Sequence, residues 1–311
     1  MSATWTLTKV RVLLAMRNRM FFFFSLMMPM IFLFISIIFL RGRTGPIGNY
    51  ILGDLLTVTV MGSFWGLSVQ LVTFREQGIL RRFRLAPVGA GPMLASSILS
   101  NYVMALPTLV FEVLVCRWAL HIQAWGNPLA LFLLITFGSA AFSSFGLIIA
   151  SVTNTMQETQ IINQLIWMGF LFLSGATIPL LGLPDWVRRI SLFLPATYLA
   201  TGLQSSAMGS ITWGGVLTDA IGLTVTLLVT FEISRRLFRW EAEAKVAPRA
   251  KLWIVAAMVP FFLFGTYENL YGDLLNRAAV DFRTLFSTGT VAPAQQPLQS
   301  ASPSEPRQPA P

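Results

Sequence analysis

The chain has 311 residues, of which 55% are hydrophobic and 11% are charged, and its net charge at neutral pH is +9. About a quarter of the residues of a soluble domain are charged, so this composition excludes a soluble protein and indicates an integral membrane protein. The basic residues fall in clusters between apolar runs and form no basic domain with base-stacking aromatics, which argues against nucleic-acid binding.

The N-terminal part of the chain contains one basic segment and two apolar runs. Residues 1–19 combine apolar side chains with four basic residues, a pattern that predicts a helix lying in the membrane interface. Met20–Leu40 has no charge and is too long for the core of a signal peptide, so we predict a retained first span. The second span is predicted at Ile51–Thr73, where Gly62 and Gly66 are spaced for close helix contact.

A charged segment at residues 74–87 separates the second span from the third. Its four arginines cannot lie in the hydrocarbon core, so the segment belongs to a loop at one membrane face. Ile79, Leu80 and Phe83 fall on one helical face, the arginines occupy the other, and Pro87 ends the segment. The pattern predicts a short amphipathic helix whose apolar side chains are exposed to a soluble partner. A helix lying on anionic lipid is the alternative.

Four further apolar runs follow. Spans three to six are predicted at residues 94–116, 128–152, 161–174 and 213–232. In span four, Ser139 and Ser143 contribute to a face of small residues that is suited to helix packing. Prolines interrupt the chain between spans five and six, and a straight helix does not tolerate them. This stretch is predicted to form short re-entrant or interfacial helices.

The C-terminal part of the chain is less regular. Leu252–Gly265 is apolar but only 14 residues long, so its length fits a re-entrant or interfacial piece as well as a span. Residues 268–286 are predicted to form an amphipathic helix, and the Pro-, Gln- and Ser-rich residues after it to be disordered. The predicted divisions are an interfacial helix at 1–19, a transmembrane domain at 20–240, an extra segment at 241–286 and a tail at 287–311.

The distribution of Lys and Arg predicts the orientation. The N-terminus, the charged segment, the turn after span four and the segment after span six hold four, four, none and six, whereas the opposite loops hold two, one and two. Cytoplasmic loops carry the excess of basic residues, so the N-terminus and the charged segment are predicted to be cytoplasmic. The predicted location is the cell membrane, as a multi-pass protein of the bacterial inner membrane.

No pattern of catalytic or metal-binding residues is present in the sequence. His121 is the single histidine, and the chain contains no phosphate-binding loop and no nucleophile elbow, so no catalytic residue, metal or cofactor is predicted. Asp54, Glu112 and Glu232 lie near the ends of predicted spans, where water at the interface can hydrate them. The membrane part is therefore predicted to take its energy from a partner.

Two segments together resemble the ABC-2 type transporter permeases. Residues 75–87, REQGILRRFRLAP, resemble the cytoplasmic coupling-helix motif of that family. Residues 172–179 (FLSGATIP), 183–186 (LPDW) and 194–198 (LPATY) resemble the signature that precedes its last span. The resemblance covers about residues 1–240 and leaves out 252–311.

This resemblance implies an all-α, six-span permease bundle with an N-terminal interfacial helix, a cytoplasmic coupling helix, a re-entrant segment before span six and an extra C-terminal apolar helix. Two permeases, identical or different, pair with two cytoplasmic ATPase subunits that bind the ATP. The implied ATPase-docking residues are Arg75, Glu76, Gly78, Ile79, Leu80, Arg81, Arg82, Phe83, Arg84 and Pro87. The implied re-entrant residues are Gly175, Pro179, Pro184, Trp186, Pro195 and Tyr198.

The implied function is that of the permease subunit of an ATP-driven exporter. Its cargo would be amphipathic or lipid-like (a drug, lipid or glycolipid), although polysaccharide exporters share the same motifs. Membrane lipid, a second permease copy and the ATPase are the expected partners. A lipid-modifying membrane enzyme, an ion-coupled carrier and an assembly subunit are the alternatives that the sequence leaves open.

Overall fold

The computed structural model describes residues 3–16, 27, 30–35, 38, 47–80, 89–122, 124–239 and 250–286. These ranges contain helices and short connections and no strand. The helices are α1 Ala3–Met16, α2 Ile47–Glu76, α3 Ala90–Ala119, α4 Pro128–Val152, α5 Met156–Leu173, α6 Asp185–Ser191, α7 Pro195–Met208, α8 Trp213–Leu237, α9 Ala250–Tyr271 and α10 Leu274–Phe286, with a 3₁₀ turn at Leu180–Gly182.

Four of the described helices are long and apolar enough to cross a membrane, namely α2, α3, α4 and α8. They correspond to predicted spans two, three, four and six. The helix at predicted span five, α5, begins with a polar turn and is not among the four. Most of predicted span one lies outside the described residues. The described part of the chain is all-helical and has several candidate spans, and the six-span arrangement stays a prediction.

Side-chain caps explain where several helices begin. The side chain of Asn127 accepts a hydrogen bond from the amide of Ala130 at 3.1 Å, at the start of α4. Thr155 and Thr212 do the same for α5 and α8. Such caps satisfy backbone N–H groups that have no partner inside the helix.

The core lies around α4, which packs against α2 on one side and α8 on the other. Glycines permit this close packing. A Cβ atom on Gly146 of α4 would overlap the backbone of Phe64 in α2, and one on Gly53 of α2 would lie 2.6 Å from the Cα atom of Gln204 in α7. Membrane helices use small residues in this way because only shape and polar contacts hold them together in lipid.

The predicted close contact at Gly62 and Gly66 is not formed within the described chain. A Cβ atom on Gly62 would lie 3.9 Å from the Trp167 ring, which is an ordinary contact distance, and one on Gly66 would have similar space. The glycine spacing does not reveal which glycine meets a neighbouring backbone. Ser139 and Ser143 are buried, and Asn101 Nδ2 donates to Ser143 Oγ at 2.9 Å.

The described part of the C-terminal extension forms two helices, which pack against α7 and α8. The apolar run at 252–265 lies inside the 22-residue helix α9, which is about 33 Å long at the usual rise. The predicted start of the amphipathic helix at residue 268 is wrong, because residues 268–271 continue α9. Glu268 Oε1 accepts from the amide of Leu274 at 2.8 Å and so marks the start of α10.

Candidate functional site at the Arg75 end of the bundle

The predicted docking segment begins where α2 ends. The amide of Gly78 donates to the carbonyl of Arg75 at 3.1 Å, and Gly78 adopts a φ of +70°, which terminates the helix. The chain is helical again at residues 79–80. The segment is therefore broken at Gly78 instead of running as one helix from residue 75. A Cβ atom on Gly78 would meet nothing within 4 Å, so glycine is needed here for its backbone conformation alone.

Arg75 is an internal anchor and not part of an exposed docking face. Its side chain is buried, with Nη1 donating to the carbonyl of Ala150 at 2.8 Å and Nη2 to that of Thr153 at 2.6 Å. The last carbonyls of a helix have no partner within it and carry the negative end of the helix dipole. Arg75 thus satisfies the C-terminal end of α4, which corrects the expectation that it faces a partner protein.

Glu76, the last residue of α2, contacts the start of α5. Its Oε1 accepts from the amide of Met156, the first residue of α5, at 2.8 Å. Within the turn, Glu158 Oε2 accepts from the amide of Asn154 at 2.7 Å. Carboxylates at a helix N-terminus are favourable because the free N–H groups and the dipole are positive there. The end of α2 is thereby fixed to the start of α5.

Arg239, two residues after the end of α8, contacts the residues that connect α4 to α5. Its Nη2 donates to the carbonyl of Thr153 at 2.7 Å, and its Nη1 donates to Asn154 Oδ1 at 3.2 Å. Burial lowers the pKa of Arg239, while the charge of Glu158 acts in the opposite direction. We name Arg75, Glu76, Thr153, Asn154, Glu158 and Arg239 the anchor cluster. It joins α2, α4, α5 and the residues after α8.

The apolar side chains of the docking segment are only partly accessible. Leu80 was expected to be exposed but is buried in a hydrophobic cluster that includes Leu71, Met93 and Leu147, because the chain turns at Gly78. Ile79 is half-buried. The remaining predicted docking residues, Arg81, Arg82, Phe83, Arg84 and Pro87, lie outside the described residues.

Replacing Gly78 by alanine is expected to destabilise the fold by about 1–2 kcal/mol, because a residue with a Cβ atom is strained at positive φ. Thermal unfolding of the purified protein measures this change. Gly169→Ala is the control, since Gly169 also has nothing within 4 Å but lies in the interior of α5. It is expected to be neutral or slightly stabilising. Equal destabilisation by both changes would contradict the proposed role of Gly78.

The predicted re-entrant signature lies at the opposite end of the bundle. Gly175 has a φ of +89° just after α5, Pro179 precedes the 3₁₀ turn, Pro184 precedes α6, and Pro195 is the first residue of α7. The prolines therefore separate short helices at about the predicted positions. Trp186 is exposed on α6.

Helix α7 is almost wholly buried against α2 and α4. Tyr198 donates its hydroxyl to the carbonyl of Leu192 at 2.7 Å. Gln204 Nε2 donates both to Asp54 Oδ1 at 2.6 Å and to the carbonyl of Gly175 at 2.9 Å. These bonds hold the signature segment to the start of α2, and its re-entrant position in a membrane stays a prediction.

Two acids lie deeper than the sequence suggests. Glu112 was expected to be hydrated at an interface, but it is fully buried, with Thr59 donating to its Oε1 at 2.5 Å. Sequence reasoning missed Asp219, which is fully buried in α8 and accepts from Arg277 at 2.8 and 3.0 Å. An aspartate inside an apolar run is the signal that could have found it. Glu232, in contrast, is partly exposed near the end of α8, as expected.

Comparison with known proteins supplies the family. The linearmycin resistance permease protein LnrN of Bacillus subtilis (strain 168) is 26% identical over 184 residues, which cover 58% of this chain and 46% of the relative. The chain thus spans about half the length of the curated relative that it matches. No solved structure matches it. The family model for ABC-2 type transporters matches residues 2–208, from the start of α1 to the end of α7, and the chain therefore belongs to the ABC-2 type transporter family.

Proposed function

We propose that this chain is the permease subunit of an ATP-driven exporter, with the segment that follows Arg75, up to Pro87, docking a cytoplasmic ATPase. Members of the family are membrane subunits of transporters and are not enzymes themselves, and the ATPase is a separate subunit. In this proposal the ATP is bound by that partner, and the N-terminus and the Arg75 end of the bundle face the cytoplasm.

The anchor cluster is the observation that carries the proposal. The segment with the coupling motif begins at the end of α2, where the carboxylate of Glu76 accepts from the first amide of α5. One residue earlier, Arg75 holds the end of α4, and Arg239 binds the same Thr153 carbonyl from the end of α8. A force applied to the segment would therefore be transmitted directly to α2, α4, α5 and α8 through these hydrogen bonds. Such direct coupling suits alternating access by rigid-body tilting of the helices.

An amphipathic or lipid-like cargo is proposed for the exporter. The relative from Bacillus subtilis is named for resistance to linearmycin, which supports outward transport of a drug by this chain as well. The exposed faces of α3 and α5 carry large apolar side chains, among them Leu114, Trp118, Ile161 and Leu165. Such faces require an apolar cover, which membrane lipid and a second permease copy, identical or different, would provide.

Docking is tested by copurification with a candidate cytoplasmic ATPase subunit. Arg81→Glu/Arg82→Glu reverses two charges and is expected to reduce ATPase association at least tenfold, because rim charges steer and orient such contacts. Arg188→Glu/Arg189→Glu is the matched control, since these neighbouring arginines lie on α6 at the opposite end. Undiminished association and ATPase stimulation in the first variant would contradict the docking role.

Orientation is tested by cysteine labelling. Cys116 is the single native cysteine and is buried, so it is replaced by alanine first. Gln77→Cys is then expected to react with a membrane-impermeant thiol reagent only in inverted vesicles, and Asp185→Cys only in intact cells. The reverse pattern would place the Arg75 end outside the cell and would contradict the proposal.

A further inference from the structure

A cavity of about 550 Å³ lies between the C-terminal extension and the start of α8. Its walls come from α9, α10, the end of α7 and the first turns of α8. The helices α9 and α10 lie beyond the part of the chain that matches the family. The volume is in the range of cavities that bind small molecules.

The charged side chains that line this cavity are mostly acidic. Glu268, Asp273 and Asp281 line it, and Arg277 is the one cationic side chain among the described lining residues. Arg277 already donates both of its terminal nitrogens to Asp219. Within the described residues, none of these three carboxylates has a salt bridge, although the charge of Arg277 also acts on Glu268 and Asp281. Three acidic side chains beside one paired arginine favour positive charge in the cavity.

Glu268 has a buried carboxylate oxygen whose hydrogen-bonding capacity is not satisfied within the described residues. The residue is 4% exposed, its Oε1 accepts from the amide of Leu274 at 2.8 Å, and its Oε2 has no hydrogen-bond partner among the described residues. Gly272 makes space for this carboxylate, because a Cβ atom there would overlap it. A buried carboxylate oxygen without a donor is costly, so a ligand with an N–H donor would be stabilising.

Two aromatic side chains in this cavity are suited to contact an organic cation. Tyr267 and Tyr271 line the cavity, and their ring centroids are 5.9 Å apart. Aromatic faces attract organic cations, and a neighbouring carboxylate adds direction and charge. Asp281 is already satisfied on both oxygens by the hydroxyls of Ser205 and Ser210. Asp273 accepts from Asn276, so Glu268 is the lining carboxylate with a buried oxygen that lacks a donor among the described residues.

We propose that this cavity binds an organic ammonium ion, with Glu268 Oε2 accepting from its N–H groups and Tyr267 and Tyr271 packing against its apolar part. The site goes beyond the transport role and does not depend on an ATPase. It can be tested on the purified chain alone.

The experiment measures binding of benzylammonium to the full chain in phosphatidylcholine nanodiscs by calorimetry, with empty nanodiscs as the blank. We expect benzylammonium to bind at least tenfold more tightly than benzyl alcohol, its neutral counterpart. Glu268→Gln keeps an acceptor for Leu274 but removes the charge, and it is expected to weaken benzylammonium binding at least tenfold. Asp185→Asn removes an exposed carboxylate outside the cavity and is expected to leave binding unchanged.

A second variant retains every charge. Gly272→Ala displaces the carboxylate of Glu268 and is expected to weaken binding as Glu268→Gln does, with folding checked by thermal unfolding. Equal affinity for benzyl alcohol, equal loss in Asp185→Asn, or full competition by millimolar K⁺ would overturn the proposal. Arg81→Glu/Arg82→Glu is expected to bind benzylammonium normally, so failure of the docking proposal and failure of this one give different results.

Discussion

Asp219→Ala is expected to destabilise the protein by about 3–5 kcal/mol, because it leaves the guanidinium of Arg277 buried without its partner. Both terminal nitrogens of Arg277 donate to Asp219, and its side chain is only 16% exposed. Burial opposes the charge of Arg277, but the hydrogen bonds and charge of Asp219 raise its pKa above the ordinary value. Equilibrium unfolding of the purified protein in detergent measures the loss.

The control for this prediction is a surface ion pair. Asp185→Ala removes the partner of Arg188, but the carboxylate of Asp185 is 83% exposed, so little change is expected. The double variant Asp219→Leu/Arg277→Met replaces both charges by apolar side chains and is expected to recover most of the stability. The prediction fails if Asp219→Ala and Asp185→Ala unfold alike.

Arg75→Met is expected to destabilise the protein by about 2–4 kcal/mol, because two charge-assisted hydrogen bonds to buried carbonyls are lost. It is also expected to reduce the ATPase activity stimulated by the permease, since the end of α4 is released from the end of α2. Arg75→Lys should be intermediate, because an ammonium group cannot reproduce the forked geometry of a guanidinium. Unfolding and ATPase assays of the assembled complex measure the two effects.

Arg236→Met is the matched control for Arg75. Arg236 lies at the same end of the bundle and pairs with Glu232, but about half of its side chain is exposed. Such surface pairs contribute little to stability. If Arg75→Met behaved like Arg236→Met in both assays, the anchor cluster would have no special role.

Helix positions could be predicted well where local signals agree. Helix α4 has the predicted bounds, because an Asn-Pro pair starts it and polar residues follow its last apolar residue. The signature segment was similarly divided by its prolines. These features depend on residues close together in the chain, so they can be read from the sequence.

The roles of individual charges could not be predicted, because they depend on residues far apart in sequence. Arg75 was expected at an exposed face, and only the position of the end of α4 reveals its true partners. The ion pair between Asp219 and Arg277 joins two helices that no local pattern connects. In the same way, the sequence indicates glycines suited to close packing, but it cannot decide that, within the described chain, Gly53 meets a neighbouring backbone and Gly62 does not.

The fit of the last two helices limits where the chain can be shortened. On α8, Gly215 faces the guanidinium of Arg277 and Gly222 faces the ring of Phe264. A version ending after Arg239 would expose both glycines to lipid or water. It would also leave the carboxylate of Asp219, on a helix long enough to span a membrane, without its cationic partner. The last two described helices are therefore structural partners of α8, and a version of the chain that ends after Arg239 would lack contacts on which α8 depends.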